Sequence, residues 1–531
     1  MPGRTHFEGE VTMAKGANLP TIDQIRDLAD EFGIEMPEDD AQSYQNLMRG
    51  PMESYRVLEQ IPEWRPPQKY PRNAGYRPSA EDNPYNGWYW RCDVKGAKSG
   101  MLKGYDVGIK DPVGVAGIPL MNGSRVLEGY IPDVDATIVT RILDAGGTIV
   151  GKTTTEDCSF SGGGHTSALG PIRNPRKPTH SPGGSSGGSG AVVAAGDVKM
   201  AIGGDQAGSI RLPASRCGVV GHKPTFGLVP YTGAVMIEMT MDTLGPMCDT
   251  VENTARLLSV LAGPDPMDPR QRGVIPDNYV QDYMPAIGKG VKGLKIGLLK
   301  EGFGQKRWND LGFPASDKVV DRKCKAAVKA LEAKGAIVKV VSAPMHMVGP
   351  HLWNAIGLEG SAEFMIKGYN QGSNWSGFYN TRLREALGRG FDSRANDLPV
   401  AAKLVVILGE YMHRKYHGRY YSKAQNQRHL LNADYDRALA ECDVIAMPTV
   451  PFMTPPLAAP DCSIETDMEQ ALNMIGNTCQ FSLSGHPSIS VPCAIEDDLP
   501  IGLMLVGRQF DDLTVLRVAD AVEKSGDWQK R

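Results

Sequence analysis

Two kinds of hydrophobic pattern alternate along most of the chain. Apolar residues recur at helical spacing in 136–143, 254–261 and 319–331, a periodicity that gives each segment one face to set against a core. Among them lie short β-branched runs at 148–150, 294–299, 336–341, 444–447 and 488–491. Helical segments interspersed with such runs predict an α/β fold in which a sheet is sandwiched between helices. The first hundred residues read differently. Helical periodicity covers 22–32 and 44–58, with an interruption expected at Pro51. From 62 to 84 the chain places Pro62, Pro66, Pro67, Pro71, Pro78 and Pro84 among polar residues, the composition of an extended connection over a surface. The expected organisation is a helical extension with a Pro-rich linker over residues 1–90 and a second domain over 91–531, with 295–410 as a smaller subdomain. No tandem repeat is present.

Composition narrows the function classes. Hydrophobic residues at 41% and charged residues at 22% exclude bulk disorder. With 57 basic and 61 acidic residues the net charge is -4, and no block is dominated by one sign, which argues against a dedicated nucleic-acid binder. The nine cysteines are odd in number and form no C-x-x-C pair, so neither a disulfide framework nor a zinc knuckle is expected. Residues 1–16 mix Arg4, Glu8, Glu10 and Lys15 without an apolar core, and no stretch reaches eighteen apolar residues. The expectation is a cytoplasmic protein with no membrane or nucleic-acid partner. Glycine is the outlier: 61 residues, about 11% against a usual level of about 7%, with much of the excess in 146–208.

Several motifs in that region fail on context. Gly146 to Thr153, GGTIVGKT, satisfies the phosphate-loop pattern, but a helix-like segment precedes it and a strand-like Thr-Ile-Val fills the supposed loop. A helix end leading into a strand is the plainer reading. Gly184 to Gly188, GSSGG, matches a nucleophile elbow around Ser186, yet four prolines in 170–182 leave no room for the buried strand that must precede one. The ten histidines show no metal-ligand spacing, and no serine has Lys three positions later. Any Ser–Lys pairing must therefore be long-range.

Three segments remain: VGIKDPVGVAG over 107–117, GGSSGGS over 183–189 and GGDQAGSIR over 203–211. Together they resemble the amidase signature family, over residues 93–528, and the spacing of Lys110, Ser185 and Ser209 suits it. The resemblance implies the family's fold, an α/β/α sandwich with a large mixed twisted sheet covered by helices, here with an α-helical N-terminal extension. It carries the catalytic lysine to Lys110, the bridging serine to Ser185 and the acyl-accepting nucleophile to Ser209. It also implies a cis peptide at Gly184–Ser185 and no cofactor. A serine hydroxyl needs a base to take its proton during attack, and lysine is that base only when burial or nearby positive charge destabilises its ammonium. Lys110 is thus expected to be buried, although a single lysine at a strand end is ordinarily an exposed, snorkelling one.

The tetrahedral oxyanion needs donors aimed at it, and the backbone N–H groups of Gln206, Ala207, Gly208 and Ser209 are the candidates. Two positions depart from the common family pattern: Gly204 stands where many members have Thr, and Ala207 where a second glycine usually lies. If the loop needs positive φ at residue 207, its Cβ opposes that. Gly184 supports the bridging serine, Asp205 and Arg211 form a structural pair around the nucleophile, and Ser186 and Ser189 are hydrogen-bonding rather than attacking residues. Within the family the chain is similar to amidases associated with nitrile metabolism, which cleave small aliphatic and aromatic amides and whose helical extension supports a homodimer. By that likeness Phe160, Gln206, Trp353 and Ile475 are candidates for the substrate pocket. The alternatives are aryl acylamidase or urethane-cleaving activity, nucleotide binding at 146–153, and the role of a transamidation subunit.

Overall fold

The computed structural model describes residues 17–276, 279, 281–308 and 311–530; the N-terminal segment 1–16 lies outside them. The chain divides into two compact units, Met1–Pro67 and Gln68–Arg531.

In the first unit, α1 (Ile22–Glu31) begins at a capping box in which Thr21 and Gln24 satisfy each other's backbone N–H. Glu38, Asp39 and Asp40 occupy the first turn of α2 (Glu38–Gln60), where negative charge meets the positive end of the helix dipole. The interruption expected at Pro51 does not occur: α2 runs through it. Proline removes one helix hydrogen bond, and on this exposed stretch water can reach the freed carbonyl.

The second unit is built on β1 (Trp88–Lys95), β2 (Asp106–Lys110), β3 (Thr148–Thr153), β4 (Met200–Asp205), β5 (Val220–Lys223), β6 (Thr243–Cys248), β7 (Lys295–Leu299), β8 (Ile337–Val341), β9 (Val444–Pro448), β10 (Ser488–Glu496) and β11 (Leu499–Val506). They form one eleven-stranded sheet in the order β1-β3-β2-β4-β6-β5-β10-β11-β9-β7-β8. It is mixed: β2 runs parallel to both β3 and β4, and β7 to both β8 and β9, whereas the remaining pairs are antiparallel.

The two-residue period of a strand sends alternate side chains to opposite faces. In β9, Val444 and Ala446 join one hydrophobic core while Ile445 and Met447 join another. The first core takes in apolar residues of α3 (Thr137–Asp144), α6 (Val251–Leu261) and α7 (Lys318–Glu332), the second those of α8 (Gly349–Ser361). Between α3 and α6 the chain forms α4 (Gly187–Ala194) and α5 (Arg211–Cys217).

Two expected boundaries move. The first falls at Pro67/Gln68 rather than near residue 90, because the part of the Pro-rich stretch beyond Pro67 is pinned to the sheet unit. Arg72 pairs with Asp135, Tyr76 bridges Arg91, and the Trp90 indole donates to Ala74 O. The segment 295–410 is not a separate subdomain, since its strands β7 and β8 extend the common sheet through β9.

Candidate active site

Lys110 is the last residue of β2, and β2 lies beside β4 in parallel register, Ile109 opposite Ile202. The loops leaving these two strands therefore emerge together. The start of α4 is clasped against β4: Ser189 Oγ donates to Ile202 O at 2.8 Å, and Ser186 Oγ donates to Gly204 O and accepts from Gly204 N, each at 3.1 Å. These two serines are thus spent on backbone. Ser185, one residue earlier, is left facing the lysine, and Lys110 Nζ donates to Ser185 Oγ at 2.7 Å and to Gly204 O at 3.4 Å. The Gly184–Ser185 peptide is cis. A Cβ at Gly184 would lie 2.8 Å from Glu156 Cγ and 2.9 Å from Ser161 O, so only glycine fits.

Lys110 is completely buried, and burial lowers its pKa from 10.5 to about 7 against the opposing pull of Asp205, Asp242, Glu156 and Asp111. Two other lysines are equally buried. Lys223 is also pushed down to about 7, chiefly by burial, but its amine donates to Pro224 O at 2.8 Å. Lys152 donates to Asp111 O at 2.8 Å and pairs with its carboxylate at 3.3 Å. A depressed amine is thus not unique to Lys110; contact with a serine hydroxyl is what sets it apart. The same facts remove the phosphate-loop reading of 146–153, since Thr148–Thr153 is strand β3 and the lysine it would need faces a buried carboxylate.

Ser209 lies in the turn between β4 and α5. Asp205 and Arg211 form a two-toothed ion pair at 2.9 and 2.8 Å, fully buried. The same carboxylate accepts from Ile210 N and Ser482 Oγ, which closes the turn at both ends. Burial alone would raise the Asp205 pKa, but the charge and hydrogen bonds of Arg211 outweigh it and hold the carboxyl below its usual value. Within the turn, the carbonyls of Gln206, Ala207, Gly208 and Ser209 accept from Trp353 Nε1, Thr478 Oγ1, Leu212 N and Ser186 N respectively. No acceptor is found within the protein for the N–H groups of residues 206–209 among the described residues. The positive φ falls on Gly208, at +141°, and not on Ala207, so the alanine carries no backbone strain. A Cβ at Gly204 would sit 3.6 Å from Lys110 Nζ, an ordinary contact.

Ser209 Oγ has no hydrogen-bond partner in the protein among the described residues, and Ser185 Oγ is not bonded to it; the two loops are joined through Ser186 N and Ser209 O at 3.2 Å. Ser209 opens onto a narrow pocket. Phe160, Gln206, Trp353 and Ile475 all line it, with the rings of Phe160 and Trp353 6.4 Å apart. Sequence reasoning missed Leu212, Ile237, Met241 and Ser361 on the same wall. Tyr231, whose hydroxyl accepts from Gln206 Nε2 at 3.2 Å, and Thr478 were missed as well. They come from separated segments that share no motif. Among the described residues no cluster of three His, Cys, Asp or Glu side chains could hold a metal ion.

A family model described as Amidase matches residues 90–516. An enantioselective amidase of Rhodococcus rhodochrous is 40% identical over 471 residues, 88% of each chain. A glutamyl-tRNA(Gln) amidotransferase chain of Halobacterium salinarum is 36% identical over 444 residues, covering 83% of this chain and 99% of that one. The crystal structure of a bacterial aryl acylamidase superposes with a TM-score of 0.69 at 22% identity, over 96% of this chain and 97% of that one, a likeness of fold.

Proposed function

The chain belongs to the amidase signature family and is a hydrolase of amides, and we propose that it cleaves small aliphatic or aromatic carboxamides to a carboxylic acid and ammonia or an amine. The observation that carries this reading is the 2.7 Å contact between a fully buried, readily neutralised Lys110 and Ser185, beside a pocket onto which Ser209 opens.

Neutral Lys110 accepts a proton from Ser185, which takes one from Ser209 as Ser209 Oγ attacks the amide carbonyl. The negative charge that develops on the carbonyl oxygen is met by the uncommitted N–H groups of the 206–209 turn, held in place beforehand by the carbonyl anchors behind them. The proton returns to the leaving nitrogen, the carbon–nitrogen bond breaks, and water then hydrolyses the acyl-enzyme along the same route. Bound substrate draws Ser209 toward Ser185, as catalytic hydrogen bonds commonly tighten on binding. Gln206 Oε1, buried without a partner among the described residues, accepts a substrate N–H, while Phe160, Trp353 and Ile475 receive apolar parts of the acyl group.

Anilides and carbamates present the same carbonyl–nitrogen linkage and form the second reading. A panel of purified amides, anilides and carbamates tests both: acid and ammonia released from simple carboxamides by the isolated chain is the expected result. Turnover only in the presence of a partner protein would replace it with transamidation. A homodimer is supported by the exposed apolar side chains of α2, among them Leu47, Leu58 and Tyr55, and light scattering measures it. A cytoplasmic location is supported by the nine free thiols. No helix among the described residues is long and apolar enough to cross a membrane.

A further inference from the structure

We propose that Ser361 recognises a hydrogen-bonding substituent next to the scissile carbonyl, so that the pocket is built for amides of 2-hydroxy or 2-amino acids in preference to amides of plain hydrocarbon acids. The inference rests on the amide-hydrolase reading of Ser209 and names the substrate class of that site.

Trp353, Gly357 and Ser361 line the pocket from successive turns of α8, spaced four residues apart and so on one face of the helix. A helical serine that faces the interior commonly satisfies its hydroxyl on the carbonyl four residues back. Ser361 does not: it is fully buried, and its Oγ has no partner among the described residues. The helix changes winding at this point, with Ala362–Lys367 continuing as a π-helix, a distortion concentrated at functional positions.

The other hydroxyls on the wall behave differently. Ser159 donates to Asn122 Oδ1 at 2.8 Å, and Ser161 accepts from Gly163 N at 3.1 Å. Of the four serines lining the pocket, the two without partners among the described residues are Ser209, which attacks, and Ser361. Gln206 Oε1 is a second unpartnered acceptor in the same cavity. Native proteins keep few buried polar atoms unpaired. In a pocket to which Leu212, Ile237, Met241 and Ile475 also contribute, a hydroxyl with no partner among the described residues is matched by a polar group that arrives with the substrate. Gln206 Oε1 meets the N–H that a primary carboxamide itself brings, and ammonia leaves with nothing further attached, so the polar group that pairs with Ser361 belongs to the acyl part. A pocket that pairs a substrate hydroxyl also discriminates against the analogue without it, whose binding leaves the protein group unpaired.

The test compares kcat/KM for lactamide and 2-methylpropanamide, which have the same shape with a methyl in place of the hydroxyl. The wild-type chain is expected to favour lactamide by about tenfold or more, and Ser361→Ala to bring the ratio close to one. A wild-type ratio at or below one overturns the inference without any variant, and so does a ratio that Ser361→Ala leaves unchanged. Hydrolysis of neither amide by the folded chain strikes instead at the amide-hydrolase reading.

Discussion

Replacing Lys110 with methionine removes the charge while keeping a side chain of similar length, and it is expected to abolish turnover while stabilising the fold near neutral pH. Burial lowers this amine from 10.5 to about 7. At about 1.4 kcal/mol per pH unit of difference between folded and unfolded states, its burial costs the folded chain about 5 kcal/mol below pH 7. The sign follows from proton counts. Below about pH 7 both states hold the proton and the cost is complete. Between about 7 and 10.5 the unfolded chain binds a proton that the folded chain has shed, so stability rises with pH and the cost fades. Methionine carries no such cost at any pH. Against the gain stands Ser185 Oγ, which loses its 2.7 Å donor, and an unsatisfied buried hydroxyl costs about 1–3 kcal/mol. The net expectation is a gain of about 2–4 kcal/mol at pH 6.5 that shrinks to about zero by pH 9.5. Urea denaturation of wild type and Lys110→Met at the two pH values measures it. In parallel, wild-type kcat/KM should climb about tenfold per pH unit below 7 and level off above 8. A variant less stable than wild type at pH 6.5, a difference that ignores pH, or an activity limb near pH 10 would refute the reasoning.

Ser209→Ala should lose all turnover and all acyl-enzyme detectable by mass spectrometry. Its unfolding free energy should stay within about 0.5 kcal/mol of wild type, because Ser209 Oγ makes no hydrogen bond within the described protein. Gly208→Ala places a Cβ 2.5 Å from Thr478 Oγ1 at a φ of +141°; a loss of about 1–3 kcal/mol and a fall in kcat larger than any change in KM are expected, and unchanged kinetics would count against the 206–209 turn as the oxyanion site. Asp205→Asn leaves the Arg211 guanidinium buried without a full counter-charge, which should cost about 3–5 kcal/mol in denaturant unfolding. A smaller effect would mean that Ser482 and the turn backbone hold the arginine by themselves.

Much of the fold and the centre of the site could be read from the chain itself, because both depend on short-range chemistry. The β-branched runs and helical spacing anticipated β3, β7, β8, β9, β10, α3, α6 and α7, and the glycines around Ser185 and Ser209 marked places where backbone must approach closely or turn through positive φ. What tertiary structure alone decided is which of those residues acquire chemistry. Lys110, Lys152 and Lys223 are the same residue type, all fully buried, yet Asp111 receives one through both its carbonyl and its carboxylate, the Pro224 carbonyl another and a serine the third. Strand pairing between β7 and β9, nearly 150 residues apart, made 295–410 part of the sheet, and α8, far from the glycine-rich region, supplied Trp353 and Ser361 to the pocket. The physical reason is range. Backbone preference and hydrophobic period are set by neighbours a few residues away, whereas the proton affinity of an amine and the pairing of a hydroxyl depend on which groups the completed fold brings near and how thoroughly it excludes water from them.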